Sequence, residues 1–380
     1  MNNFVFIQRW SQPLRLIKLA AALLLGATVA LARETDNFSL PLTVEMADIA
    51  NYLETVHTVA LQDTVADVNA DIEKALREKE PAVREARLAR LHDPLTLMDA
   101  FVKRFGHPAF EDKQAERVLQ SDWARREYSG HAPSYRDLSL DYSARFVLDP
   151  RRLAVSSAQS RTVKAYGIYF GTDKLVHFHH LGADYYRMYR KLVDAGSSPE
   201  VSYRKVVKHY AETGVWSEKG FFGEMAGSVY SNADLAVNHV GFLFYRNLTE
   251  SVVLKRQKRE PLLVRSGVFW RLNRHVRPHS GWLGAYISDH WNEALNPNRY
   301  DSTLRPGMKR ALRERAKSIV AFYHEKDGRP ANAAYFENLA RELSTYYGTD
   351  YGHCGHLDEL LNIGNTCFPA LKANQDKAPQ

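Results

Sequence analysis

Three acid-led pairs carry most of the chemistry this chain can offer: Asp173 with His177, Asp234 with Asn238, and Asp289 with Glu293. Each pair is spaced i, i+4, so on a helix both side chains share one face. Each stands among apolar neighbours, where an acid needs a partner to be tolerated. Polar faces turned into one core describe a site rather than a solvated surface. Carboxylates and imidazoles at this spacing suit a divalent cation or general acid–base work.

The first segment is the richest. Asp173, His177, His180 and Asp184 follow at i, i+4, i+7 and i+11, one stripe of a helix. His177 and His180 stand close enough to share an ion such as zinc; the plain alternative is a packed polar stripe with Asp173 capping the helix. In the second segment, Asn232, Asp234 and Asn238 interrupt an apolar run, and Gly241 on the same face allows close helix approach. A packing network of interhelical hydrogen bonds would look the same. In the third, Ser288 is a plausible N-cap, Asp289 and Glu293 share a face, and His290 stands three residues before Glu293. Acids near the positive end of an exposed helix are the plain reading there. Lys174 adjoins Asp173, and Glu224 lies in a glycine-rich stretch, 220–227, suited to line the same site. If the cluster holds a metal, Asp173, His177, Asp234 and Glu293 are the expected ligands. No GxSxG, HExxH or phosphate-loop motif occurs.

The elements that must position these residues read as helices. Met46, Ile49, Leu53, Val56 and Ala60 recur at steps of three and four, and Val65, Val68, Ile72 and Ala75 continue the pattern. The spacing predicts a long helix over 43–79, limited by Pro81. Asp93-Pro94 is an N-cap with proline at the first helical position, opening a helix over 94–105. Further helices are expected over 173–194, 199–213, 231–249, 288–295, 306–326 and 331–347. Residues 107–160 look irregular, and 166–171, with two glycines, reads as a loop. The expectation is an all-α protein, an irregular multi-helix bundle with long loops. Its parts would be 33–160, an N-terminal helical region; 161–371, a helical core carrying the polar site; and 372–380, a disordered tail.

Residues 1–32 read as a secretory signal peptide. Arg9, Arg15 and Lys18 precede an apolar run, and Ala30-Leu31-Ala32 supplies small residues for cleavage. The run is short of the roughly 20 residues a membrane span needs. Cleavage would start the mature chain at Arg33 and place it in the periplasm or outside the cell. It would remove three positive charges, taking the net charge from +7 to +4 (7 − 3). That mild excess gives no support to nucleic-acid binding. Lys255-Arg256-Gln257-Lys258-Arg259 is the one basic block; it reads as a solvated loop or as a peripheral contact with an anionic membrane. Cys354 and Cys367 are the only cysteines, and in an exported chain they favour a disulfide, with zinc binding the weaker alternative.

The elements Asp173-Lys174-Leu175-Val176-His177-Phe178 and Asp234-Leu235-Ala236-Val237-Asn238-His239-Val240-Gly241 resemble the D-K-x-x-H-F and D-x-x-x-N-x-x-G elements of VanZ-like and related small bacterial envelope proteins. The resemblance covers about 70 of 380 residues. It implies that Asp173, Lys174, His177, Asp234 and Asn238 face one another, and that the protein works in the cell envelope. VanZ-like proteins span the membrane several times, which this chain has no segments to do.

Two functions follow. One is a non-catalytic envelope protein that binds a lipid, glycan or protein partner through the Asp/His/Asn/Glu site. The other is a metal-dependent hydrolase acting on a phosphoester or lipid headgroup.

Overall fold

The computed structural model describes residues 40–105, 117–135, 160–220, 223–224, 229–302, 305–355 and 359–375. The signal segment, its cleavage point and residues 376–380 lie outside the described residues.

The first helix, α1 (Ala50–Leu76), buries Leu53, Leu61, Val68 and Ile72, the stripe that its periodicity predicts. Helix α2 (Pro81–Leu91) begins at the proline that ends α1's run, and α3 (Pro94–Val102) begins at Pro94. Asp93 caps α3 by accepting from the Leu95 N–H at 2.9 Å. A short α4 (Asp122–Glu127) stands in the stretch expected to be irregular, capped by Ser121.

The all-α expectation is corrected by four two-stranded antiparallel sheets among the described residues. They are β1–β2 (Thr162–Ala165, Ile168–Gly171), β3–β8 (Val229–Tyr230, Arg299–Tyr300), β4–β5 (Val252–Leu254, Gln257–Arg259) and β6–β7 (Leu263–Ser266, Phe269–Leu272). The architecture is mixed, mostly helical with these small ribbons. The strands are too short for alternation to register against the helical background. In 166–171, Tyr166 and Gly167 form the hairpin turn with φ of 53° and 79°, and the residues after it are strand. Gly167 serves the left-handed turn position rather than marking a loop.

Helix α5 follows β2 directly and is continuous in three parts: Asp173–Val176, a π-helical turn His177–Leu181, and Gly182–Asp194. Helix α6 runs Pro199–Lys208 and ends in a π-turn, His209–Thr213. Helix α7 (Asn232–Asn247) is buried along almost its whole length. The helix expected over 288–295 is absent: only a 3-10 turn, Asp289–Trp291, forms there. The remaining helices are α8 (Arg305–Glu314), α9 (Ala316–Ala321, followed by a π-turn Phe322–Lys326), α10 (Ala333–Leu343) and α11 (Ile363–Gln375). Helix α11 extends through Lys372–Gln375, the start of the expected tail.

Among the described residues two apolar clusters form the core. The larger joins α1, α5, α6, α7 and the ribbons β4–β7; the smaller gathers α8 to α11 around Tyr323 and Phe336. Residues before and after position 160 contribute to both. Among the described residues no helix is long and apolar enough to cross a membrane.

Candidate functional site

Helices α5 and α7 cross backbone against backbone. A Cβ at Gly182 would stand 2.6 Å from the Gly241 carbonyl carbon, and one at Gly241 would strike the Phe178 carbonyl oxygen. Only glycine at both positions allows this approach. It brings the first turn of α5 against the first turn of α7, where the polar residues sit.

Lys174 stands at the focus. Its Nζ lies 2.8 Å from Asp173 Oδ2, 2.5 Å from Asp234 Oδ1 and 2.7 Å from Glu293 Oε2. An ammonium has three N–H donors, and here three carboxylates from three segments surround it. Lys174 and Asp234 are both 0% exposed, and Glu293 is 3% exposed. His177 Nδ1 donates to Asn238 Oδ1 at 3.0 Å, and its Nε2 lies 3.4 Å from Asp234 Oδ2. The expected convergence of Asp173, Lys174, His177, Asp234, Asn238 and Glu293 is therefore what the structure contains.

A second ring, not anticipated from the sequence, holds this one. Ser231 caps α7: its Oγ accepts from the Asp234 N–H at 3.1 Å and donates to Glu293 Oε1 at 2.9 Å. Its own N–H donates to Glu218 Oε1 at 2.8 Å. Asn298 Nδ2 donates to Glu293 Oε1 at 2.6 Å, while Asn298 Oδ1 accepts from the Asn232 N–H at 2.9 Å. Glu218 and Asn298 had no sequence signal, because their spacing to the helical pairs is irregular and tertiary.

Burial, Lys174 and the other acids set the protonation pattern. Burial pushes the Glu293 carboxyl up to about 7, although Lys174 pulls it down. Burial and the Asp234 charge push Glu218 well above the carboxylate range. Burial also acts to raise Asp234, but His177 and Lys174 outweigh it and hold that carboxyl below its ordinary value. The cluster thus keeps Asp234 ionised while Glu218 holds a proton, and Glu293 exchanges one near neutrality. Lys174, Asp234 and Glu293 are buried, so the cluster holds its charges away from bulk solvent.

The other expected members lie elsewhere. Asp289 receives a two-pronged contact from Arg329, at 2.7 and 3.0 Å, and does not share a face with Glu293 because no helix forms over 288–295. His290 Nε2 donates to the Thr345 carbonyl at 2.9 Å. Glu224 pairs with Arg299 at 2.6 Å. His180 and Asp184 leave the stripe because the π-turn at 177–181 rotates the helix after His177. Asp184 pairs with Arg187 at 2.7 Å.

The π-turn creates a different polar contact instead. His179 Nε2 meets His57 Nε2 of α1 at 3.0 Å, with Phe105 stacked on the His179 ring at 3.9 Å between centroids. His57 Nδ1 lies 2.6 Å from the Leu53 carbonyl, which can only accept, so Nδ1 carries the hydrogen. The neutral ring then accepts at Nε2 from the Nε2–H of His179. Burial keeps both rings neutral, lowering His57 to about 4.

The donor set does not fit a metal ion. The Lys174 ammonium occupies the point where the carboxylates of Asp173, Asp234 and Glu293 converge. Among the described residues no group of three or more His, Cys, Asp or Glu side chains is arranged to hold one.

The expected disulfide is also corrected: Cys354 and Cys367 are free thiols. Cys354 is held by Asn232 Oδ1 on its N–H and by the Arg299 guanidinium on its sulfur. Cys367 lies on α11, fully buried in the smaller apolar cluster, and its thiol faces the Leu312 carbonyl. Packing of α11 thus places the two thiols in separate environments.

No family model, curated protein or solved structure matches this chain.

Proposed function

We propose that the protein is an exported, non-catalytic component of the bacterial cell envelope that binds a ligand, with the Lys174 cluster as the internal fixture that holds its binding scaffold in shape. The observation that carries this reading is the closure of the cluster: its ammonium and Asp234 are 0% exposed and the cation position is filled by Lys174. A hydrolase of the metal-dependent kind needs an open coordination position for water. The resemblance to VanZ-like envelope proteins and the signal-like residues 1–32 support the envelope setting.

Elemental analysis of the purified protein, joined to native mass spectrometry of protein taken from the envelope fraction, tests the reading. The expected result is no stoichiometric transition metal and a co-purifying small molecule. A stoichiometric zinc ion, together with phosphoesterase activity that is lost in His177→Ala, overturns it.

A further inference from the structure

A cavity of about 400 Å³, partly open to solvent, is lined by α7 from His239 to Arg246, further along the helix than the Asp234 and Asn238 of the Lys174 cluster. Its volume is within the size range of small-molecule sites. Its body is aromatic. Tyr203 and Phe242 stack at 5.4 Å between centroids, and His239 meets Tyr346 edge-on at 5.1 Å. Its rim is cationic, carrying Arg246, Lys255 and Arg256, and no lining residue is an acid.

These cations are only partly answered. Arg246 pairs with Glu250 at 2.9 Å, outside the cavity. Lys255 Nζ contacts the carbonyls of Gly284 and Ile287 at 2.8 and 2.5 Å, which are neutral partners. Lys255 and Arg256 form the two-residue turn of the β4–β5 hairpin, with φ of 51° and 62°. Glycine, asparagine and aspartate suit such a turn. Two cationic side chains there accept backbone strain, a pattern that clusters at ligand sites.

His239 belongs to the aromatic wall of the cavity. His239 is 3% exposed and its Nε2 has no hydrogen-bond partner. Its Nδ1 lies 2.7 Å from the Tyr203 hydroxyl, which also lies 3.1 Å from the Asp350 carbonyl. The hydroxyl has one hydrogen. The Asp350 carbonyl can only accept, so the hydroxyl donates to it and accepts from the Nδ1–H of His239, which leaves Nε2 of the neutral ring a bare lone pair. That lone pair can only accept and offers nothing to an anion, so His239 contributes its ring to the cavity and not a donor.

We propose that this cavity binds a small organic anion with an apolar body, such as an aryl carboxylate, with its ring among Tyr203, Phe242 and Tyr346 and its charge toward Arg246 and Arg256. The proposal rests on the ligand-binding reading above and names the ligand class.

Titration calorimetry of the full chain with naphthoate, against uncharged naphthalenemethanol, tests it. Naphthoate should bind at least about tenfold more tightly than the alcohol, and Arg256→Gln should remove about tenfold of that affinity. Arg256 is exposed, so this change spares the fold. Arg246→Gln should have a similar effect, and circular dichroism checks its folding. Equal binding of acid and alcohol, or unchanged naphthoate affinity in Arg256→Gln, overturns the proposal. Co-sedimentation with phosphatidylglycerol vesicles that needs Arg256, without naphthoate binding, also overturns it, by assigning the cations to a membrane surface. A co-purifying ligand whose affinity is indifferent to Arg256 leaves the binding function standing and removes only this site.

Discussion

Replacing Lys174 with methionine puts the central arrangement to its hardest test. The change keeps most of the side-chain volume and removes one charge. It leaves Asp173, Asp234 and Glu293 facing one another, with no ammonium among them. Each lost contact was 2.5–2.8 Å long. At an effective dielectric of about 20, one such pair is worth roughly 6 kcal/mol of gross attraction. Most of the gross gain offsets the several kcal/mol per ion that burial costs. The expected net loss is therefore that of a broken buried pair, about 3–5 kcal/mol at pH 8. The remaining carboxyls should relieve it by taking up protons. Glu293 already sits near 7 with Lys174 pulling it down, so without Lys174 it goes higher. A carboxyl raised in the folded state adds stability that is present at low pH and lost as pH rises through its folded value. The deficit relative to the parent should thus shrink toward pH 5. Urea denaturation followed by circular dichroism, on both proteins at both pH values, measures it as a difference, so contributions common to the two cancel. Adding Glu293→Gln should recover part of the loss at pH 8. A deficit below about 1 kcal/mol at pH 8, or one identical at pH 5, would refute the Lys174-centred account.

Four other expectations are simpler. His177→Ala should lower stability by about 1–3 kcal/mol through the orphaned Asn238 and the weakened hold on Asp234, with metal content unchanged; loss of a bound ion would contradict it. Gly241→Ala should cost about 3 kcal/mol, because the new methyl meets the Phe178 carbonyl and backbone must move; a neutral result in thermal melts would deny the helix crossing. Burial lowers His57, His290 and His353 to about 4 and His239 to about 3, so all four are neutral in the fold. Their contribution is full above the unfolded value of 6.5 and falls away as pH drops toward about 4, so acid titration should show steep unfolding in that window, and a flat stability curve there would count against it. Without reductant, both cysteines should alkylate once the chain is denatured, and Cys367 should resist in the native state; a linked peptide pair would restore the disulfide.

The residues on α5 and α7 were legible because helical spacing and an apolar setting constrain them together. An acid at 173 or 234 inside a buried run has to be answered, and the answers at Lys174, His177 and Asn238 lie within one turn. Glu293 was found for a partly wrong reason: it reaches the cluster from an irregular segment, not from a helix shared with Asp289. Asp93 as cap of α3 was readable from Asp-Pro alone. The stripe through His180 and Asp184 failed because nothing in the spacing announces a π-turn. The ribbons failed because strands of two to four residues give too little alternation to see. Glu218, Ser231 and Asn298 were out of reach because their pairing is set by how loops return to the start of α7.

The π-turn in α5 works as a phase shifter. An ordinary helix advances about 100° per residue, so its two ends are locked to one angular reference. The turn at His177–Leu181 resets that reference within a single unbroken rod. Before it, the rod addresses the charged cluster; after it, Tyr185, Tyr186 and Tyr189 meet the apolar interior on a bearing of their own. The offset is fixed, so one rod presents its charged stripe and its tyrosine face at an angle that regular helical spacing would not give. Deleting one residue from 177–181 would remove the offset and turn the tyrosines about 100° away from their present neighbours.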